Sequence, residues 1–286
     1  MENSSAADAP VTDPRPVLQA RFARSYMNWI GRKLLHLVNT IHGLGAFALI
    51  TFGVTVTKFS LAGRVIHPII RAQIHRAGVR LLPMVSFLGV ALGLVVIGQT
   101  VSLLSRVGAT NYAGMIMVTA VVRELGPLVT ALLVLARIGT AIVIELGTAR
   151  ALGEVEALEA LGIDPIHYLV MPRVIGLAIA ILALTVYLII IALISGYLFA
   201  FLQDVPLRPD VYFSQLAGAL RLADFILLGI KTTAFGIVIA ISTCYQGLAR
   251  QLWLEDVADA TTSAVVNSVI FCVLLDGIFI VVYLLV

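Results

Sequence analysis

Six charged residues of this 286-residue chain interrupt long apolar runs. A charge at the centre of a bilayer costs about 2.5–3.5 kcal/mol, so each of them needs a partner or a function. Two kinds of chemistry are open: the charges pair with one another and stabilise the fold, or they face a cavity and bind a polar ligand. The six residues are Arg123, Glu124, Arg137, Glu145, Lys231 and Asp276.

Arg123 and Glu124 are the strongest candidates for a binding role. They precede Gly126 and Pro127, where a helix can bend because proline lacks an N–H group. An arginine there suits a phosphate, which it binds through charge-assisted hydrogen bonds. Glu124 could hold that arginine in position or contact an ammonium group. Pairing inside the protein remains an equal alternative for three of the others: Arg137, Glu145 and Asp276.

A second polar segment occupies residues 150–165. Its large apolar residues recur at every third position: Leu152, Val155, Leu158 and Leu161. Its glutamates point elsewhere on a helix: Glu154, Glu156 and Glu159. Gly162 and Pro165 are expected to end this short helix. It is either an ordinary surface helix between two membrane spans or a coupling helix that docks onto a nucleotide-binding partner.

The composition requires a membrane protein around these segments. Hydrophobic residues make up 60% of the chain and charged residues 12%, with a mean hydropathy of +1.04, whereas soluble domains have roughly 25% charged residues. Apolar runs of about 20 residues cross a bilayer as helices, because backbone polar groups must pair internally there. We predict an all-α integral membrane domain over residues 81–286 with five spans: Leu82–Leu104, Val121–Thr148, Val174–Phe201, Phe225–Gly247 and Ser263–Val286.

The basic residues are concentrated near the N-terminus. Ten of the 19 Lys and Arg residues precede position 81, and no acidic residue lies between Asp13 and Glu124. This distribution predicts a membrane-facing cytoplasmic segment and no nucleic-acid partner. With five crossings, the N-terminus is then cytoplasmic and the C-terminus lies outside.

Residues 1–14 are expected to form a disordered tail, and residues 15–80 to form interfacial helices. The apolar run Leu34–Phe59 has cationic flanks on both sides, which favours an interfacial or re-entrant helix, although a true span remains the alternative. Arg64 to Arg80 is amphipathic, with Ile66, Ile70 and Ile74 on one face, and reads as a membrane-surface helix. We expect its histidines to face headgroups.

Several motifs resemble those of the MlaE family of ABC transporter permeases, which work with MCE-domain lipid carriers. The resemblance covers roughly residues 64–286 and is strongest between positions 123 and 173. The motifs are Arg123-Glu-Leu-Gly-Pro127, Ala136-Arg-Ile-Gly-Thr-Ala141, Glu145-Leu-Gly147, Ala157-Leu-Glu-Ala-Leu-Gly-Ile-Asp-Pro165 and Pro172-Arg173. A looser similarity continues through Lys231, Cys244-Tyr-Gln-Gly247, Ala260-Thr-Thr262 and Leu275-Asp276.

This resemblance implies a homodimeric permease in the bacterial inner membrane. It also implies two cytoplasmic ABC ATPase subunits, a periplasmic MCE-domain protein and a phospholipid substrate. The implied lipid-cavity residues are Arg123, Glu124, Lys231 and Asp276. The implied coupling helix covers about residues 150–163, and its ATPase-coupling residues are Arg150, Glu154, Val155, Glu156, Leu158, Glu159, Leu161 and Gly162. No G-x-x-x-x-G-K-[ST] motif occurs, so ATP and magnesium are expected on the partner, with no cofactor or metal in this chain.

The chain departs from the family pattern at two places on the expected ATPase-facing side. Asp259 stands where the family usually has an arginine before the Ala-Thr-Thr element, and Gly153-Glu154 replaces a Glu-Gln pair. These changes affect the details of docking.

Two other functions compete with the lipid permease. An ion-coupled secondary transporter could use Glu124, Lys231 and Asp276 as a relay, but the inverted repeats that such transporters often carry are not evident. An intramembrane enzyme is disfavoured because the spans carry no G-x-S-x-G motif, histidine-rich metal set or paired acids.

Overall fold

The computed structural model of the chain describes residues 41–55, 57, 63–109, 112–202, 209–248 and 253–285. The chain divides into two compact units, Met1–Ala46 and Phe47–Val286. Helix dominates the described residues, and none of them forms a strand. The predicted all-α fold is confirmed.

Five helical spans are long and apolar enough to cross a membrane, as predicted. They are named the first to fifth span in chain order: Ile66–Val107, Ala113–Ala151, Ile166–Leu202, Leu222–Leu248 and Leu254–Leu285. Helix Leu82–Leu92 begins where the first span was predicted to begin. Most of the other predicted spans were too short, by up to nine residues at the start of the fifth span, where Ser263 was expected and Leu254 is found. Hydropathy identifies only the apolar residues that lie inside the hydrocarbon layer. The helix continues beyond these residues until a turn ends it.

The basic helix and the first membrane helix follow each other with only a tight turn between them. Gly63–Ala77 leads through a tight turn into Leu82–Leu92. The turn is closed because Gly78 N–H donates to Ile74 O at 2.7 Å. The predicted amphipathic face is confirmed, since Ile66 and Ile70 are buried beside Met171 of the third span.

The third span lies at the centre of the bundle and packs against the first, second and fourth spans. Small residues permit this packing. A Cβ at Gly89 would lie 2.9 Å from Cγ2 of Ile191, and a Cβ at Gly93 would overlap Ser195. Gly89 and Gly93 therefore allow the first and third spans to approach closely.

A helix that the sequence did not predict, Pro209–Ala219, lies between the third and fourth spans. Tyr212 anchors it, because its buried hydroxyl donates to Leu193 O at 3.0 Å. Burial raises the pKa of Tyr212 to about 12, so the hydroxyl remains a donor at neutral pH. Consecutive spans alternate in direction, so the bundle has a 209–221 end and an opposite 150–165 end, each named here for the segment it carries.

The predicted interfacial run is described only in part. Ile41–Thr55 is a helix of about 22 Å at 1.5 Å per residue, shorter than the roughly 30 Å of hydrocarbon in a bilayer. The predicted tail 1–14, residues 15–40, position 56 and positions 58–62 lie outside the described residues. That residues 34–59 do not cross the membrane stays a prediction.

Candidate functional site

The buried ammonium of Lys231 is the centre of the polar network at the 209–221 end. Its side chain is fully buried, and its Nζ lies 2.7 Å from Asp276 Oδ1 and 3.0 Å from Glu124 Oε2. The same Nζ donates to the backbone oxygen of Arg123 at 2.8 Å. The ammonium, which has three donors, thus makes two hydrogen bonds and one short ion pair.

Pro127 explains why a backbone oxygen is available to Lys231. In a regular helix the carbonyl of Arg123 would accept the N–H of the residue four positions later, but that residue is Pro127, which has none. The backbone at this place is a widened π-type segment, Val118–Leu125, directly before Gly126. The missing N–H of Pro127 thus leaves the Arg123 carbonyl free to accept from Lys231 of the fourth span.

The guanidinium of Arg123 binds a carboxylate that the sequence analysis missed. Arg123 Nε lies 2.9 Å from Asp224 Oδ1, and Nη2 donates to Asp224 Oδ2 at 3.3 Å. Asp224 Oδ2 also accepts the backbone N–H of Arg221 at 2.9 Å. Asp224 lies in the first turn of the fourth span, where a carboxylate is also the usual partner of exposed backbone N–H groups, so its position gave no signal of this ion pair.

A tyrosine of the fifth span completes the network. The ring of Tyr283 has the Arg123 guanidinium 5.4 Å and the Lys231 ammonium 5.8 Å from its centroid. These distances allow cation–π attraction from both cations. The second, fourth and fifth spans are therefore joined by two cations, three carboxylates and one aromatic ring.

Of the four predicted lipid-cavity residues, Arg123 alone lines the open cavity at this end. The other three, Glu124, Lys231 and Asp276, form the network behind it. The cavity has a volume of about 420 Å³ between the second span and helix Pro209–Ala219. Its polar and large lining residues include Tyr112, Met115, Thr119, Arg123, Gln215 and Arg221.

The predicted coupling segment is shorter than expected at its start. Arg150 belongs to the end of the second span, helix Thr140–Ala151, and the separate helix is Glu154–Ala160. Gly153 and Gly162 on either side have φ of 76°, a left-handed conformation that favours glycine. Arg150 Nε lies 3.2 Å from Glu156 Oε1 and joins the two helices. The expected stop at Gly162 is confirmed.

The short helix is attached by one side and leaves most of its surface open. Val155 is buried and Leu158 is half-buried. Leu152 and Leu161, at the two glycine turns, are 61% and 75% exposed. The exposed acidic residues are Glu154, Glu156 and Glu159. This segment therefore presents exposed leucines beside carboxylates at the 150–165 end.

The remaining two intramembrane charges have different environments. Glu145 pairs with Arg76 of the first span and Arg173 of the third. Arg137 is exposed and makes no ion pair or hydrogen bond of its side chain within the part of the chain that the structure describes. Among the same residues, no group of three His, Cys, Asp or Glu side chains could hold a metal ion.

Residues 70–282 match the family described as Permease MlaE, a range that contains Lys231 with its ion-pair partners, the open cavity and helix Glu154–Ala160. The chain belongs to this family. A probable ABC transporter permease protein of Rickettsia typhi is 33% identical over 241 residues, which cover 84% of this chain and 91% of that protein. The family resemblance predicted from the motifs is confirmed.

Relatives of this MlaE-family permease also occur in photosynthetic lineages. A chloroplast protein of Arabidopsis thaliana named trigalactosyldiacylglycerol 1 is 31% identical over 231 residues, covering 77% of this chain and 63% of that protein. A probable ABC transporter permease protein of Synechocystis is 30% identical over 224 residues, covering 75% of this chain and 85% of that protein. The chain is thus a multi-pass membrane permease subunit of the ABC transporter type.

Proposed function

We propose that this permease moves phospholipid or a related lipid between the bacterial inner membrane and a periplasmic MCE-domain carrier, driven by a separate ATPase. The observation that carries the proposal is Arg123. Its guanidinium is held by Asp224 and still lines an open cavity between the second span and helix Pro209–Ala219. Family membership supports ATP-driven transport over an ion-coupled relay through Glu124, Lys231 and Asp276.

The cavity has the chemistry of a headgroup site. Arg123 and Arg221 lie on its wall, and a lipid phosphate would accept charge-assisted hydrogen bonds from the Arg123 guanidinium. Met115 and Val118 supply apolar surface for the start of an acyl chain. The relative named after trigalactosyldiacylglycerol supports a lipid substrate class.

The buried network has a positioning role in this proposal. Lys231 fixes the backbone of Arg123 and the carboxylates of Glu124 and Asp276, so Arg123 is presented to the cavity from a rigid wall. Removing Arg123 alone leaves Asp224, whose side chain is 4% exposed, without its guanidinium partner. A clean test must therefore neutralise both members of this ion pair.

A second copy of the chain completes the transport path. Only 22% of the apolar window of the fifth span is buried, against 56% for the second span. Arg137 is exposed on the second span, and a charge facing hydrocarbon is costly, so a homodimer partner or a water-filled path would relieve it. Five spans enclose little volume, and a cavity for a two-tailed lipid requires more surface.

The ATPase subunits dock on the 150–165 end, which is cytoplasmic in this proposal. The docking residues are Arg150, Glu154, Val155, Glu156, Leu158, Glu159, Leu161 and Gly162, with Leu161 the most exposed of the leucines. Movement of helix Glu154–Ala160 reaches the second span directly through the Arg150–Glu156 ion pair. ATP and magnesium bind to the partner.

The test is lipid capture by the reconstituted complex with a photo-activatable phospholipid. Arg123→Gln combined with Asp224→Asn removes both charges of the pair, so we expect a folded protein with about tenfold less crosslinked lipid. Arg106→Gln is the matched control, because Arg106 is an exposed arginine at the same end that does not line the cavity. Unchanged crosslinking in the double variant, with normal folding, would show that the cavity is not the lipid site.

A further inference from the structure

A separate cluster of charges lies at the 150–165 end of the bundle, outside the proposed transport cavity. Glu145 Oε1 lies 2.5 Å from Arg76 Nη1, and Glu145 Oε2 lies 3.2 Å from Arg173 Nη2. The three residues come from the second, first and third spans. One carboxylate thus faces two guanidinium groups, and the cluster carries a formal charge of +1.

This cluster opens into its own cavity of about 190 Å³. Its polar and large lining residues include Ile69, Gln73, Arg76, Glu145, Tyr168 and Arg173. Arg76 and Glu145 have side chains 47% and 42% exposed, so an entering group can reach them without unfolding a helix. The site is therefore accessible, unlike the closed network around Lys231.

Two buried polar atoms of the cavity lack hydrogen-bond partners. Arg173 Nη1 donates to Leu169 O at 2.7 Å, but the buried Arg173 Nε makes no hydrogen bond within the described part of the chain. The buried Gln73 Oε1 also has none there. Buried donors and acceptors are nearly always satisfied in folded proteins, so a site with two open ones points to a missing ligand or water.

The position of the cavity selects the ligand. Glu145 lies within one turn of Thr148, where the apolar part of the second span ends, and Arg173 directly precedes the apolar run of the third. This is the headgroup level of a membrane, where tyrosines such as Tyr168 are enriched. Exposed Arg80 adds positive charge along the first span. An anion held at this depth by two arginines is most simply a phosphate group.

We propose that Arg76 and Arg173 form a phosphate-binding site at the 150–165 end. Glu145 forms ion pairs with both arginines when the phosphate is absent. The phosphate accepts hydrogen bonds from both guanidinium groups, and Glu145 gives up part of its contact with them. The site is distinct from the cavity at Arg123, and it does not depend on which lipid, if any, is transported. The same phosphate chemistry could come from a lipid headgroup or from a free phosphate ion.

Native mass spectrometry of the full-length purified permease tests this site, with short-chain phosphatidylglycerol and inorganic phosphate as separate probes. We expect about tenfold weaker phosphatidylglycerol binding in Arg76→Gln and in Arg173→Gln. Glu145→Gln should instead bind more tightly, because the competing carboxylate is gone. Arg71→Gln, an exposed neighbour outside the cavity, should match the unmodified protein.

The two probes identify the source of the phosphate. Binding of phosphatidylglycerol that excess inorganic phosphate does not displace indicates a lipid headgroup, whereas equal binding of inorganic phosphate indicates a free anion. The proposal is overturned if neither probe binds. It is also overturned if Glu145→Gln, folded as judged by an unchanged melting temperature, loses binding together with the two arginine variants, because a purely structural ion pair predicts that result.

Discussion

The two ends of the bundle use charge in opposite ways. At the 209–221 end, Lys231 is fully buried and its ammonium lies within 3.0 Å of oxygens of Glu124, Asp276 and the Arg123 backbone. At the 150–165 end, Glu145 is half-exposed between two arginines, and this cluster lines a cavity of its own. A closed network stabilises a fold, whereas an open cluster can exchange partners.

The energetic reason is solvation. Breaking one member of a buried ion pair leaves an uncompensated charge and costs about 3–5 kcal/mol, because no water can replace the lost partner. An exposed pair contributes about 0–1 kcal/mol, since water and salt screen it. The same kind of substitution should therefore have very different effects at the two ends.

The largest effect is expected for Lys231→Met. This change leaves the Glu124 and Asp276 carboxylates facing each other in a buried site, and we expect a loss of about 3–5 kcal/mol in stability. Melting temperature and yield of the detergent-purified permease measure it. Adding Glu124→Gln and Asp276→Asn should restore most of the folded protein, because a neutral site needs no counter-charge. A stable single variant would contradict the closed-network interpretation.

The next effect concerns the exposed leucines of the 150–165 end. Leu161→Arg should sharply reduce co-purification of the ATPase while the melting temperature of the isolated permease stays unchanged, because Leu161 is 75% exposed and contributes little to the fold. Val107→Arg, equally exposed at the opposite end, is the control and should retain the ATPase. Loss of the ATPase from both variants would indicate general damage instead of a docking site.

A smaller effect is expected at the glycine turns of the coupling segment. Gly153 has φ of 76° and open space around its Cα, so Gly153→Ala introduces backbone strain without a steric clash. A left-handed alanine costs about 1 kcal/mol, and we expect ATPase binding weaker by about fivefold. Gly277→Ala, where an added Cβ also meets open space but φ is not positive, should change nothing. Equal binding in both variants would show that the turn geometry is not needed for docking.

The sequence predicted the parts of the molecule that depend on local composition. The five apolar runs correspond to the five spans. The glycines and the proline of residues 150–165 correctly predicted a short helix, Glu154–Ala160, that lies between two turns. The family motifs also followed from local residue order. These features are readable because each is encoded within a few consecutive turns of one helix.

The ion pairs between spans could not be predicted in the same way. Asp224 lies 101 positions from its partner Arg123, and Arg76 lies 69 positions from Glu145. Charge alone did not identify these partners, because every span offers several faces and the bundle geometry decides which of them meet. Pro127 shows from the sequence that the carbonyl of Arg123 lacks its usual helical partner. The sequence does not show that Lys231 is the residue that binds this carbonyl.

The smallest effect is expected for Glu145→Gln, and it completes the comparison with Lys231. The Glu145 side chain is 42% exposed, so water can solvate Arg76 and Arg173 after the charge is lost. Screening limits the expected loss of stability to less than about 1 kcal/mol, although the substitution removes both ion pairs of this cluster. The measurement is the melting temperature beside that of Lys231→Met under identical conditions, at low and high salt.

Added salt should reduce the difference between Glu145→Gln and the unmodified protein, because salt screens exposed charges far more than buried ones. The Lys231→Met difference should persist in high salt for the same reason. If Glu145→Gln instead destabilises the permease as much as Lys231→Met, the 150–165 cluster is a closed structural network like the one at the other end.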